Sequence, residues 1–186
     1  MQNQNDMAML DSASSKIINV MVVIDSDSVV RDFPNRSQNA DSPTAINNSK
    51  YFYMVACSDH TLSGAGTGSL HIKANVGDVI RWNGISESAN FDSSILIYTL
   101  KRLSGQEVFV TPDFYAFNKR SMKPTQKNVF PVILNNPQDY WFNQAPIVGV
   151  GTESYTLHFA LYHRPNGGDP VLYGYFKYDP QITVAS

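Results

Sequence analysis

The sequence predicts an all-β protein: an antiparallel β-sandwich of the jelly-roll, immunoglobulin-like or cupredoxin-like type, with at most short helical turns. Apolar and polar residues alternate in many short segments, and Gly, Pro and Asn separate these segments. No segment keeps a helical period beyond one or two turns. The 186 residues, of which 42% are hydrophobic, suit one core better than two. We expect a flexible tail over residues 1–16 and a single sandwich domain over 17–186.

The first strand is predicted over Ile17–Ile24. The side chains expected to share one of its faces are Ile18, Val20, Val22 and Ile24. Ser26 to Asp32 fits a short helical turn, with Asp25 or Ser26 as its N-cap. Residues 25–50 otherwise form a long polar connection. Because such connections are often functional, this segment is a candidate for a binding role.

A second apolar run extends from Tyr51 to Cys57. Cys57 is the only cysteine of the chain, so an intramolecular disulfide is excluded, and we expect a buried thiol in a reducing compartment. Ser69 to Asn75 is predicted to be a strand. Its expected core-facing residues are Leu70, Ile72 and Ala74. Val79 to Trp82 resumes the extended pattern after a turn at Gly77 and Asp78.

Ile95 to Leu103 is apolar on both faces at its start, which is typical of a central strand. We expect it to form a hairpin with Glu107–Thr111 through the turn at 104–106. The C-terminal region predicts a second hairpin, with its turn at Arg164–Pro170. Side chains that alternate onto one face of its two strands are Tyr155, Leu157, Phe159 and Leu161, then Leu172, Gly174, Phe176 and Tyr178.

The charge pattern argues against two classes of partner. Fourteen basic and 16 acidic residues give a formal net charge of -2, and no dense Lys/Arg block is present, so nucleic-acid binding is not expected. No basic, apolar leader precedes Lys16, and the apolar run Ile17–Ile24 is too short to span a bilayer. We therefore expect a cytoplasmic protein that is not inserted in a membrane.

Three segments resemble the PixA/AidA family of bacterial inclusion-body proteins. They are the opening Ile17–Asp27, the run Gly64–Trp82, and the ending formed by Phe159–Arg164 and Leu172–Pro180. The resemblance implies a cytoplasmic bacterial β-sandwich protein that accumulates abundantly, in some members as inclusions. It also implies a role in host interaction and carries over no catalytic residue.

Metal and cofactor sites are not expected. Val76–Trp82 also looks like a cupredoxin strand, but Cys57 and His60 precede it and no cysteine follows, so a blue-copper ligand set is not available. The four histidines show no paired metal spacing. Carboxylates that could in principle pair as in a glycosidase are Glu87, Asp92, Glu107, Asp113 and Glu153. We expect them to be solvated surface groups, and we expect no enzymatic activity.

Aromatic residues exceed what one sandwich core needs. The candidate ligand or interface residues are Trp82, Asn83, Asn90, Tyr140, Trp141, Tyr173 and Tyr175. Further aromatic or amide residues nearby in the sequence are Phe142, Asn135, Asn136 and Asn143. These side chains could form a contact between copies in a homo-oligomer, for which a dimer is expected, or could stack on a glycan or another small polar ligand. The first alternative predicts a self-associating protein and the second a binding module.

Overall fold

The structure, a computed structural model, describes residues 15–123 and 133–186. Most of the predicted tail over 1–16, and the side chains of Asn135 and Asn136, therefore lie outside the described residues. The strands are β1 (Ile17–Ile24), β2 (Thr44–Ala45), β3 (Phe52–Val55), β4 (Thr61–Ser63), β5 (Leu70–Lys73), β6 (Val79–Ser86), β7 (Ser93–Gly105), β8 (Asp113–Lys123), β9 (Ile133–Pro146), β10 (Gly151–His163), β11 (Val171–Tyr178) and β12 (Gln181–Ala185).

One α-helix, α1 (Ser26–Asp32), follows β1. Its N-cap is Asp25, whose carboxylate accepts a hydrogen bond from the Ser28 backbone N–H at 2.9 Å. The exposed carboxylate of Glu87 accepts hydrogen bonds from the backbone N–H groups of Ser26 and Asp27 at the same end. Acceptors at these positions satisfy donors that a first helical turn leaves free. The predicted helical turn and its capping residue are confirmed.

The strands form two mixed sheets. The first sheet has the order β3-β1-β6-β9-β8, in which β1 and β6 are parallel. The second has the order β2-β11-β10-β12-β5-β4, and β7 pairs with the free side of β10. The β12 and β5 strands are also parallel. The all-β sandwich prediction is confirmed, but the pairing is mixed rather than wholly antiparallel.

The core lies between the inner faces of the two sheets. Alternate residues of β1 are fully buried, and so are those of β10. Trp82 of β6 contacts Phe109 and Tyr155, with ring centroids 4.8 and 6.1 Å apart. Phe52 and Tyr178 stack at 3.9 Å. Side chains that alternate between core and solvent are typical of a sheet with one covered face.

The C-terminal hairpin is confirmed and the predicted β7 hairpin is wrong. The β10 and β11 strands pair antiparallel, with Phe159 opposite Phe176. The β7 strand pairs along β10 instead of with residues 107–111, and an isolated bridge in that segment joins Phe109 to Ile147. Within the described residues β7 has one hydrogen-bonded neighbour, so it is an edge strand rather than a central one. The first half of β7 is apolar because β6 packs closely over it. Any side chain at Gly84 of β6 would collide with Ile97 of β7.

Two further expectations concern the region between β1 and β4. Cys57 is exposed, because β3 ends at Val55 before the chain turns toward β4, so the predicted buried thiol is wrong. The connection 25–50 is not a free loop, since it contains α1 and β2. Ser37 also bridges to Tyr175 of β11. The binding role of the connection 25–50 stays a prediction.

Candidate functional site on the outer face of the first sheet

The outer face of the first sheet is apolar where β1 and β3 pair. In this register Met21 lies opposite Val55 and Val23 opposite Tyr53, all on the side away from the core. Met21, Tyr53 and Val55 are 37%, 41% and 40% exposed. We call these four residues the β1–β3 patch. Because the face opposite a core is usually polar in a soluble sheet, this composition requires an explanation.

The other half of the same face carries aromatic rings. In the β8–β9 register Tyr115 lies opposite Phe142 and Phe117 opposite Tyr140. Phe117 is 6.3 Å from Tyr115 and 6.1 Å from Phe142, measured between ring centroids. All four rings are partly exposed. We call them the β8–β9 aromatic cluster.

Two cavities of about 600 and 290 Å³ open on this face. They share Arg81, Tyr140 and Phe142 in their lining, so they adjoin each other, and we call the two together the trough. The larger cavity extends over β1 and β6 to Met21 and Asn83. The residues that line the smaller cavity are Arg81, Phe117, Lys119, Arg120, Tyr140 and Phe142. The trough has the size of a small-molecule site.

Arg81 lies at the junction of the two cavities. Its Nε donates a hydrogen bond to Gln144 Oε1 at 2.9 Å, and its guanidinium lies 4.7 Å from the centroid of the Phe142 ring. Burial lowers the pKa of Arg81 below its ordinary value. Among the described residues no carboxylate forms an ion pair with it. A half-buried cation without a counter-ion favours an anionic ligand.

Of the predicted site residues, the structure brings four together in the larger cavity: Asn83, Asn90, Tyr140 and Trp141. Asn83 Nδ2 donates to the Trp141 backbone oxygen at 2.9 Å, which ties β6 to β9 beyond the point where their ladder ends. The Asn90 side chain accepts from the backbone N–H groups of Ser86 and Ile95. Asn90 therefore also shapes the β6–β7 turn.

Trp82 is not a surface residue. Its exposed fraction is 0%, and it points into the core with Ile80 on the inner side of β6. Its selection as an exposed ligand or interface aromatic is wrong. The sequence did contain the information needed to place Trp82. It lies two residues after the core residue Ile80 in the same strand, so period-two alternation puts both side chains on the inner face.

Tyr173 and Tyr175 lie on the second sheet, away from the trough. The β10–β11 register shifts between Leu161 and Tyr162, and Tyr173 packs against Phe176 of the core at 6.3 Å. The Tyr173 hydroxyl donates to the backbone oxygens of Val30 and Phe33. The alternation that puts Leu172, Gly174 and Phe176 on one face would place Tyr173 and Tyr175 on the opposite face, and this is wrong for Tyr173. Tyr175 contacts the ring of Tyr98 at 5.7 Å.

Sequence reasoning missed Tyr115, Phe117, Arg81, Lys119 and Arg120. The alternation of Tyr115, Phe117 and Lys119 places all three on one side of a strand. What the sequence did not provide was the partner strand, because period-two alternation gives the side of a residue and not its neighbour across the ladder.

Two of the acidic residues considered as a glycosidase pair, Glu87 and Glu153, bind backbone N–H groups. Glu153 is fully buried, which corrects the expectation that it is solvated. Its Oε2 accepts from the backbone N–H groups of Val108 and Phe109 at 2.6 and 3.3 Å. Glu87 accepts hydrogen bonds from the backbone N–H groups of Ser26 and Asp27 at the start of α1. Both carboxylates therefore hold backbone groups.

The histidines show no site either. His163 Nδ1 lies 3.1 Å from Ser93 Oγ, but Ser93 is buried, with 1% of its surface exposed, so a substrate cannot reach this hydroxyl. No group of three or more His, Cys, Asp or Glu residues in 15–123 and 133–186 could hold a metal ion. In the same residues no helix is long and apolar enough to cross a bilayer.

The fold and the outer-face trough define a two-sheet β-sandwich protein without a recognisable catalytic constellation in its described part. A family model described as PixA, inclusion body protein, matches residues 16–184. The chain belongs to the PixA inclusion body protein family, and the resemblance noted in the sequence is confirmed. No curated protein matches the chain.

A solved structure from the same family has a similar fold. The inclusion body protein (PixA) from Burkholderia cenocepacia J2315 is similar, with a TM-score of 0.75 and 29% identity over 92% of this chain and 97% of that chain. A cysteine protease inhibitor, EhICP2, from Entamoeba histolytica shares 14% identity over 63% of this chain and 85% of that chain. Its TM-score of 0.25 carries no argument.

Proposed function

We propose that this protein is a non-enzymatic, self-associating protein that accumulates at high concentration in the bacterial cytoplasm, with a homodimer as its first association product. The observation that carries the proposal is the β1–β3 patch, four apolar residues on the outward side of a sheet. Contiguous exposed apolar surface of this kind marks an interaction site. A role in host interaction, which the family resemblance implies, belongs to the same proposal.

The geometry favours contact through the face of the first sheet rather than through its β3 edge. Met54 of β3 donates its N–H to the Thr67 backbone oxygen and accepts from the Gly66 N–H, both at 2.8 Å. This bridge occupies the edge groups with which another chain would pair. At the opposite edge, Lys119 and Arg120 of β8 place like charges where two copies would meet. Neither edge is therefore a good template for strand addition.

The charge of the chain supports close approach of many copies. A formal net charge of -2 over 186 residues gives weak mutual repulsion at neutral pH. A patch that is self-complementary across a two-fold axis gives a closed dimer, and a second contact would extend dimers into larger assemblies. This arrangement agrees with the description of the family as inclusion body proteins.

Two local features support a non-enzymatic role. Glu87 and Glu153, which could otherwise act as acid and base, accept hydrogen bonds from backbone N–H groups. A catalytic carboxylate must instead reach the substrate. We therefore expect the function to depend on contacts made by the protein surface rather than on catalysis.

Sedimentation velocity over a range of protein concentrations tests the proposal. Tyr53→Glu places a charge in the centre of the patch, and we expect it to weaken self-association by at least about tenfold, since burying an unpaired carboxylate costs well over about 1.4 kcal/mol. The matched control is Val171→Glu, which makes the same kind of change at a 52% exposed apolar residue of the second sheet.

We expect Val171→Glu to associate like the wild type. A wild-type protein that stays monomeric at high micromolar concentration contradicts the proposal. Equal weakening by the two substitutions contradicts the assignment to the β1–β3 patch. Thermal unfolding of each variant checks that the fold is retained.

The alternative of a module that binds a carbohydrate or another small polar ligand has its own supporting observation, the trough beside the patch. The chemistry of the trough is distinct enough to specify a ligand class.

A further inference from the structure

We infer that the trough on the first sheet binds a small aromatic anion, with its anionic group in the smaller cavity between Arg81, Lys119 and Arg120 and its ring on the β8–β9 aromatic cluster. The inference goes beyond self-association, because it assigns a ligand whose anionic group lies in the smaller cavity, and no residue of the β1–β3 patch lines that cavity.

The first step concerns charge. Three of the six residues that line the smaller cavity are cations, and none is acidic. The ion pairs found in the described residues are those of Arg31 and Lys50 with Asp32, all remote from this cavity. The three cations therefore lack a carboxylate partner within the described part of the chain. A ligand anion would supply one, and Arg is well suited to hold it through two parallel hydrogen bonds.

The second step concerns the donors that remain available on Arg81. Its Nε is engaged by Gln144 Oε1, which fixes the plane of the guanidinium above the Phe142 ring. No hydrogen bond of its two terminal nitrogens to a described residue is found. Because Arg81 is half-buried, these donors have lost part of their hydration without a protein partner. An anion at this position would offset that loss.

The third step concerns shape and apolar surface. Phe117, Tyr140 and Phe142 supply the rest of the smaller cavity. A ligand ring placed there would contact the faces of these aromatic side chains. Such contacts add to the binding free energy beyond what the burial of apolar area contributes. The larger cavity continues the trough toward Met21 and Asn83, so a ligand longer than one ring has space to extend.

Two other ligand classes fit less well. A neutral sugar is held by planar amides and carboxylates around an aromatic ring, and the smaller cavity contains neither group. A nucleic-acid strand needs a basic track along the surface, but the chain has a net charge of -2 and Asp139 lies in the adjoining larger cavity. Asp139 accepts a hydrogen bond from Asn118 at 2.7 Å.

Isothermal titration calorimetry with 1-naphthoate tests the inference. Two comparison ligands separate its parts: 1-naphthalenemethanol lacks the charge and cyclohexanecarboxylate lacks the aromatic ring. We expect 1-naphthoate to bind at least about tenfold more tightly than either one, since each lost interaction is equivalent to about 1.4 kcal/mol. Equal affinity for the neutral alcohol overturns the anionic assignment.

Variants locate the site. Arg81→Gln and Lys119→Gln should each weaken 1-naphthoate binding by about tenfold, whereas Lys101→Gln, at an exposed cation on the outer face of the second sheet, should leave it unchanged. Lys119 is exposed, so its variant remains informative if Arg81→Gln does not fold. An unchanged affinity in Lys119→Gln, or tighter binding of maltotriose or of a thymidine decanucleotide than of 1-naphthoate, overturns the inference.

The same titration with Tyr53→Glu separates this inference from the proposed function. Tyr53 does not line either cavity, so we expect the monomerised variant to bind 1-naphthoate with wild-type affinity. Loss of binding in Tyr53→Glu would mean that the ligand needs an assembled protein, and would overturn a site formed by one chain.

Discussion

The outer faces of the two sheets differ in composition although both cover the same core. On the first sheet the outward residues of β1 and β3 are apolar, and those of β8 and β9 are aromatic. On the second sheet the outward positions of β10, β12 and β5 carry polar residues. These include Thr152, Ser154, Gln181, Thr183, His71 and Lys73.

This difference favours the outer face of the first sheet as the surface with a use beyond solubility. A polar outer face is what a sheet needs in water, so this part of the second sheet requires no partner to explain it. The outer face of the first sheet holds apolar area that folding does not bury. The β1–β3 patch forms an apolar half of that area, and the β8–β9 aromatic cluster with its neighbouring cations forms the other half. Met21 and Val55 of the patch also line the larger cavity. Each half favours a different kind of partner.

The largest expected effect tests which aromatics belong to the inside and which to this surface. Trp82→Ala should lower the free energy of unfolding by about 3 to 5 kcal/mol, because it removes a fully buried ring. Phe117→Ala, on the outer face, should change it by less than about 1 kcal/mol. Urea unfolding measures both values. A similar loss in the two variants would mean that the outer aromatic cluster is part of the core.

A smaller effect concerns the carboxyl group on the inner face of the second sheet. Burial raises the pKa of Glu153, and this outweighs the lowering by the backbone donors of Val108 and Phe109. The unfolded chain has the ordinary pKa of about 4.3, so it releases the proton at a lower pH than the folded protein does. Stability from the protonated carboxyl is therefore full below about pH 4.3 and is lost as the pH rises through the folded pKa.

Urea unfolding of the wild type and of Glu153→Gln between about pH 4 and about pH 7 tests this sign, with the amide as a control that does not titrate. We expect the wild type to lose stability relative to the variant as the pH rises. Curves that stay parallel, or a wild type that gains relative stability, would contradict the raised pKa of Glu153.

The sequence was sufficient for the strands and for much of the core. Alternation identified the inward residues of β1, β5 and β10, because one side of each strand is covered and the other is not. It failed where pairing is distant in the chain. The β7 strand pairs with β10 rather than with the residues that follow it, and the parallel pairing of β1 and β6 joins segments about 60 residues apart. Local pattern contains no information on such partners.

The candidate site was predicted in part for the same reason. Asn83, Asn90, Tyr140 and Trp141 were selected as aromatic or amide residues and do lie together in the larger cavity. Trp82 was selected on residue type alone, although its spacing from Ile80 placed it inside. Phe117 and Lys119 were missed because their contribution depends on β9 lying beside β8. Residue type suggested the chemistry, and only the tertiary arrangement assembled the site.

The central claim is that copies of the protein meet through the apolar outer face of the first sheet and not through the second. Hydroxyl-radical footprinting at low and at high protein concentration measures this side chain by side chain. We predict that labelling of Met21 and Tyr53 falls as the concentration rises, while labelling of Tyr162 and Val171 on the second sheet stays constant. Unchanged labelling of Met21 and Tyr53 in a sample that has associated, or protection of Tyr162 and Val171, would contradict the claim.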